Sequence, residues 1–453
     1  MKETIKSAII GALALVCLMI WLATRPSPPR EWSPKDAGAV LFPGFRDPAQ
    51  IRSLSIACRD QESGDLNRLE LVRDTELWRI KTKSDAPAEN VERIASAASA
   101  WIGLTVLSTA TELDGADEKQ TETFHRQCRL LDPSEAIRGD AADTGVLLEI
   151  GGAGNASFVR AIIGAVPDQS ALDGDLRYVR IAGDDRVYTV DFSAAAPASA
   201  TEPRPHYVEL LSMNPLDWMN TDLLRISRWN IAEFSLFDYS CDKDGVLSAR
   251  KFFTAKQDPE LSIDRVWSPV ESVRFADSGP VKDDPPEIPD GKRVNESADC
   301  AAHLRFTALE KINDSAAELL RKNRPVRELA EEKETFASNG FYIADHDPLD
   351  SNAVDPYLCG EGGEVRLLMT DGVCCRVLFG KKTDDSRVVL VRCSFDPTSF
   401  SAADETDPVA VAEEKIALAE GTVKAAGNAR RFDCWFYTIP EADYQQLMNG
   451  EKE

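Results

Sequence analysis

The stretch GEVRLLMTDGVCCRVLFGKKTDDSRVVLVRCSF, residues 363–395, decides the fold, because an earlier part of the chain repeats its layout. GVLLEIGGAGNASFVRAIIGAV (145–166) followed by DLRYVRIAGDDRVYTVDFS (175–193) also runs strand, turn, strand, then a further strand. In each copy one strand ends in apolar residues plus glycine, Ile162-Ile163-Gly164 and Leu378-Phe379-Gly380. The next strand then carries Val-Arg, Val179-Arg180 and Val391-Arg392. One β unit therefore reads as having been used twice.

The fronts of the two halves extend the pattern. In residues 41–60, Leu54, Ile56 and Cys58 alternate with smaller residues at the period of a strand with one buried face. Leu69 and Leu71, then Trp78 and Ile80, continue it across a turn at Asp74-Thr75. In 85–107, Val91, Ile94, Ala95, Ala98, Trp101 and Ile102 recur at helical spacing, with Pro87 placed for a first turn. The second half offers a strand in NIAEFSLFDYS (230–240), helix-like AAHLRFTALEKINDSAAELLRKN (301–323) and NGFYIAD (339–345). The final strand, Phe432 to Ile439, is expected to complete the second sheet ahead of a polar tail. Trp78, Trp101 and Trp435 are expected in cores, and Trp218 at the junction of the units.

The resulting expectation is an α+β protein: an N-terminal transmembrane helix, then two related units of mainly antiparallel sheet with packed helices. Residues 1–25 read as a cytoplasmic tail and anchor, and 26–40 as a Pro-rich juxtamembrane linker. The first unit spans 41–193, a linker 194–206, and the second unit 207–453. An acidic, Pro-rich insertion near 268–298 is expected as a mobile surface loop, and a polar insertion with a helix-forming middle near 401–429.

The anchor is SAIIGALALVCLMIWLAT, with Ser7, Ile9, Leu13, Val16, Leu18, Trp21 and Thr24 along it. A spanning helix needs about 17–25 apolar residues, whereas the core of a cleaved signal has about 7–15. Bulky Trp21 stands where signal cleavage wants a small residue, and Val16 precedes Cys17 where lipidation wants one. Lys2 and Lys6 on one flank are balanced by Arg25 and Arg30 on the other. The short amino-terminal tail favours retention inside, with the bulk of the chain outside a bacterial inner membrane. A net charge of −24 argues against nucleic acid or an acidic lipid surface as the main partner.

Catalytic constellations do not emerge. Gly151-Gly152-Ala153-Gly154 is followed by another strand, where cradling a phosphate would need a helix N-terminus. Asp242-Lys243-Asp244-Gly245 resembles a calcium loop but lacks the closing glutamate, and reads as a hairpin turn. The four histidines, His125, His206, His303 and His346, share no short motif with each other or with a cysteine. Nine cysteines lie beyond the anchor, and the adjacent Cys374 and Cys375 would point to opposite faces of a strand. The expectation is a protein without cofactor or metal.

With FPGFRDPAQIRSLSI, ELWRI, LLDP, RYVRI, VYTVDFS and PLDWMNTDLL, then NGFYIA, GGEVRLLMTDGVCCRVLFG and RRFDCWFYTIPEADYQQL, the chain resembles the membrane-anchored domain-of-unknown-function family 4340 in its long, two-unit form. That resemblance implies an extracytoplasmic, periplasmic accessory beside gliding-motility-type ABC transporter subunits. It carries over no catalytic residue. The competing expectation is an envelope receptor or enzyme using a cleft between the units.

Overall fold

The computed structural model describes residues 37–449 apart from 75–76, 111–112, 114, 168–173, 195–205, 258–265, 277–278, 322–325, 330–331, 346–348, 350–355 and 398–407. The anchor residues from Ser7 to Thr24 thus lie outside the described residues. Among the described residues no helix is long and apolar enough to cross a membrane. The chain divides into two compact units between Met219 and Asn220.

In the first unit nine strands form one sheet: β1 (Ser53–Arg59), β2 (Leu66–Asp74), β3 (Leu77–Ile80), β4 (Ala86–Pro87), β5 (Ser108–Thr109), β6 (Val146–Gly151), β7 (Ser157–Ile163), β8 (Leu176–Ile181) and β9 (Val187–Asp191). Their order is β4-β3-β2-β1-β6-β7-β8-β9-β5, and neighbours run antiparallel. The alternation read from the sequence sets the register. Leu54 faces Leu71, Ile56 faces Leu69 and Leu71 faces Ile80, so one apolar face is buried across three strands. Each such side chain contributes about 1.5–3 kcal/mol on burial. Among the described residues three α-helices accompany the sheet: α1 (Val91–Ser99), α2 (Glu118–Gln127) and α3 (Tyr207–Leu210).

The second unit repeats this plan. Its strands are β10 (Ile231–Cys241), β11 (Leu247–Gln257), β12 (Trp267–Ala276), β13 (Gly279–Lys282), β14 (Ala308–Lys311), β15 (Phe341–Ala344), β16 (Tyr357–Gly360), β17 (Glu364–Met369), β18 (Val373–Lys382), β19 (Ser386–Phe395) and β20 (Trp435–Pro440). Nine of them stand in the order β13-β12-β11-β10-β17-β18-β19-β20-β14, the first sheet's order strand for strand. Helices α4 (Gly291–Ala302), α5 (Asp314–Arg321) and α9 (Glu441–Asn449) follow β13, β14 and β20, as α1, α2 and α3 follow β4, β5 and β9. The additions are a two-stranded sheet, β15 with β16, the short helices α6 (Val326–Leu329) and α7 (Lys333–Ala337), and the long helix α8 (Pro408–Phe432). Helix α8 falls between β19 and β20, where the first unit has only the turn 182–186.

The shared glycines have a shared cause. A Cβ on Gly164 would lie 2.3 Å from the Cys128 carbonyl oxygen, and one on Gly380 2.4 Å from that of Asn339. In both copies another segment crosses the strand end where only glycine leaves room. The Val-Arg pairs match less closely. Val179 lies opposite Ile163, beside Gly164, but the residue opposite Phe379, beside Gly380, is Val389 rather than Val391. A shift of two residues keeps the same face, which is why the rhythm survives it.

Several expectations need correction. Residues 268–298 hold more than a surface loop: β12, β13 and the start of α4 take up 268–276, 279–282 and 291–298, the counterparts of β3, β4 and α1. Their acids and polar residues hold the sheet edge. The Asp283 carboxylate accepts the Ser272 hydroxyl at 2.7 Å and Arg274 Nε at 2.8 Å, and Trp267 Nε1 donates to Asn295 at 2.7 Å. Pro87 lies in β4, and α1 begins after Asn90, whose side chain accepts the Arg93 N–H at 3.1 Å. That helix ends at Ser99, before the turn completed by Gly103 at φ +71°. Residues 301–323 are not one helix but the end of α4, strand β14 and α5, which Asn313 caps by accepting the Ala316 N–H at 2.8 Å.

The unit boundary also differs from the expected 194–206 linker. Residues 207–219 pack back on the first unit: Tyr207 accepts a hydrogen bond from Trp101 Nε1 at 2.6 Å, and Arg93 Nε donates to the Leu210 carbonyl at 2.9 Å. The second unit closes in the same way, with Ser297 of α4 donating to the Leu447 carbonyl of α9 at 3.0 Å. Strand β20 pairs on both sides, with β19 and with β14, so the sheet's edge is β14 and the polar tail is helix α9.

Candidate functional site

The shared strand order singles out one strand position. Counting back four residues from the shared glycines brings Arg160 of β7 and Arg376 of β18 to the same place. Arg160 is exposed and donates to Glu149, its cross-strand partner on β6, at 2.8 Å. Arg376 instead lies under β16. Its guanidinium donates to the Leu358 carbonyl at 2.7 Å and lies 4.4 Å from the Tyr357 ring centre. Its cross-strand partner is another cation, Arg366.

Two facing arginines need a shared anion, and Glu364 supplies it with no solvent exposure. One of its oxygens accepts Arg366 Nε and Arg376 Nε, both at 2.9 Å. The other accepts the Tyr239 hydroxyl at 3.1 Å and Arg376 Nη2 at 2.5 Å. Tyr239 in turn accepts the Gly360 N–H at 3.2 Å, and Tyr357 accepts Arg366 Nη2 at 3.0 Å. Burial alone would raise the Glu364 carboxyl, but the charges of Arg376 and Arg366 outweigh it and hold it down to about 2. Such a carboxylate is a weak proton acceptor; its donors fasten β16 to β10, β17 and β18.

Beside this cluster the thiols of Cys241 and Cys359 stand 2.9 Å apart. A second pair, Cys375 and Cys393, sits at 3.0 Å directly across β18 and β19. Both separations are inside van der Waals contact of two sulfurs. The hydrogen bond with Cys241, then burial, push the Cys359 thiol far above its ordinary value. Cys374 points away from this pair, and burial raises its thiol to about 11. The sequence reading missed both pairs because their members are 118 and 18 residues apart, without short spacing.

A cavity of about 130 Å³ in the second unit is lined by Leu236, Asp238, Lys251, Phe253, Arg293 and Met448, between the β10–β11 face and helices α4 and α9. That is below the roughly 300 Å³ at which small-molecule sites begin. Asp238 is already committed to Arg250, at 3.0 Å.

All four singled-out tryptophans are buried. Trp101 sits among Phe42, Phe192 and Tyr207, and Trp218 lies against Arg93, whose guanidinium is 5.3 Å from its ring. Trp218 Nε1 donates to the Ser212 carbonyl at 2.8 Å, contacts that belong to the first unit. Asp242 accepts the N–H groups of Asp244 and Val246, each at 3.0 Å, closing the β10–β11 turn. His125 is buried with Nε2 at 2.8 Å from the Asp185 carbonyl, and burial lowers its pKa. His206 meets Asp175 at 3.2 Å and His303 the Asp299 carbonyl at 2.8 Å, while His346 lies outside the described residues. Among the described residues no three His, Cys, Asp or Glu side chains are grouped to hold a metal ion.

Compared with protein-family models, with curated proteins and with solved structures, the chain matches none.

Proposed function

We propose that this protein is a membrane-anchored, extracytoplasmic scaffold that docks integral-membrane subunits of an ABC-type complex of the gliding-motility kind. The observation that carries the reading is the long apolar run from Ser7 to Thr24 placed ahead of a duplicated β unit. Tethering raises the effective concentration of such a body near membrane partners. The segment resemblance to family 4340 supplies the class of partner. In the second unit the buried Glu364 is spent on fastening strands together, a structural use of its charge. Docking through the β13 edge is disfavoured, because exposed Pro280 and Lys282 block further strand pairing there.

The test is crosslinking in intact membranes followed by gentle solubilisation and mass spectrometry. Recovery of transporter subunits with the full-length chain is the expected result. Recovery of the chain alone would overturn the reading, and a stoichiometric bound small molecule or metal would replace it with a receptor or enzyme.

A further inference from the structure

Helix α8 is apolar on two opposite faces. One is seated on the second sheet: Gly421, Ala425 and Phe432 are buried, and a Cβ on Gly421 would meet the Asp371 carbonyl oxygen at 2.4 Å and the Phe395 ring at 2.6 Å. Lys424 pairs with Asp371 at the β17–β18 turn and fixes the helix there. The opposite face is turned to solvent, where a polar surface is the rule for a helix packed on one side only. Instead Val409, Ile416 and Val423 recur there every seven residues, 62%, 58% and 73% exposed. Ala412, Ala419 and Ala426, each three residues further on, are exposed as well.

This is a heptad seam, with β-branched residues at every a position and alanine at every d. From Val409 to Ala426 it extends for about 26 Å of helix. Arg430, at the next a position, ends it. β-Branched a positions favour a two-stranded, parallel arrangement, and alanine at d lets the backbones approach closely. The flanking charges point the same way. Exposed Lys415 at g would meet Glu420 at e of a parallel partner, twice by symmetry. An antiparallel pair would instead set e against e, bringing Glu413 and Glu420 toward each other's copies.

We propose that the α8 seam binds the α8 seam of a second copy of this chain, in parallel and in register. The test uses the full-length protein in detergent, with mass measured by light scattering. The wild type is expected to dimerise. Ile416→Glu combined with Val423→Glu is expected to give monomers of unchanged circular dichroism, because neither side chain enters the core, with a melting temperature that no longer depends on protein concentration. Lys415→Glu should weaken association about three- to tenfold, and Lys415→Glu with Glu420→Lys should restore it. Register is read by mixing Ala412→Cys with Ala426→Cys chains under mild oxidation and mapping the linked peptides. Homotypic 412–412 and 426–426 links are expected. A monomeric wild type, a dimer indifferent to the Ile416 and Val423 changes, or heterotypic 412–426 links would each overturn the proposal.

Discussion

Arg160 and Arg376 occupy the same position in two sheets of the same strand order, yet they belong to different kinds of interaction. On β7 the exposed guanidinium donates to Glu149 at 2.8 Å and comes within 3.9 Å of the buried Asp132; on β18 it is covered by β16 and shares Glu364 with Arg366. Among the described residues the second unit has a covering layer that the first lacks, and the arginine beneath it is met by an internal anion, Glu364, and aromatic neighbours, Tyr239 and Tyr357. Position within a fold therefore does not set the energetic weight of a salt bridge; burial does.

The sharpest way to break the comparison is to remove the half-buried cation that serves the buried Glu364. Arg376→Ala leaves Glu364 and its neighbours without their main counter-charge, a change that costs about 3–5 kcal/mol at buried pairs. Denaturant unfolding of the second unit should show that loss. A loss below about 1 kcal/mol would mean that the cluster behaves as a surface pair. The Glu364 carboxyl is depressed to about 2, so its contribution is present above its ordinary value of 4.5 and is lost as pH falls from there through about 2. The mutant's deficit should narrow over that acid window and stay constant above it.

The cysteine pairs also distinguish the copies, since both lie in the second unit. Given glutathione disulfide as the oxidant, the folded chain is expected to form Cys241–Cys359 and Cys375–Cys393, each transferring two electrons to one glutathione disulfide and releasing two glutathione thiols. Each bond should stabilise the second unit by about 2–4 kcal/mol. Peptide mapping without reductant is the check, and a dominant Cys374–Cys393 link would contradict the facing of Cys375 and Cys393 across the strands.

How much of this was legible in the sequence follows from the range of each signal. Period-two alternation is local, so Leu54, Ile56, Leu69, Leu71, Trp78 and Ile80 announced their sheet, and the repeated glycines announced the duplication. The segment 268–298 misled because its edge strands and its cap are built from Pro, Asp and Gly, the composition of a solvated loop. Only the tertiary use of Asp283 and Asn295 reveals them as structural. Glu364, Arg366 and Arg376 looked like ordinary strand charges, because the layer that covers Glu364 and half-buries the two arginines includes Tyr357 and Leu358 and owes its position to long-range packing.

A smaller effect concerns the residue two places before the last strand of each sheet. Asp185, before β9, is exposed, whereas Asp433, before β20, is only 2% exposed and its Oδ2 has no hydrogen-bond partner among the described residues. Burial raises the Asp433 carboxyl to about 6, against the opposing charges of Arg392 and Arg321. A carboxyl raised on folding contributes stability that is complete below its ordinary value of 3.8 and is lost as pH rises through about 6. Asp433→Asn should therefore stabilise the second unit at pH 8 by up to about 3 kcal/mol and confer no gain at pH 3.5. Equal effects at both pH values would show that the carboxyl titrates normally.

The smallest expected effect falls on the exposed member of the opening pair. Arg160→Ala removes a contact with Glu149, the two side chains 47% and 33% exposed, and a longer 3.9 Å approach to Asp132, so water replaces most of what is lost. Mutant cycles at such pairs give about 0.2–1 kcal/mol. Adding salt should shrink even that, since the Debye length falls from about 10 Å at 0.1 M to about 3 Å at 1 M. The Arg376 deficit should persist in the same salt, because the Glu364 carboxylate it serves has no solvent exposure. Parallel salt titrations of Arg160→Ala and Arg376→Ala thus separate the two positions by mechanism as well as by size. If both deficits vanished together in 1 M salt, the covering layer would not be what distinguishes the copies.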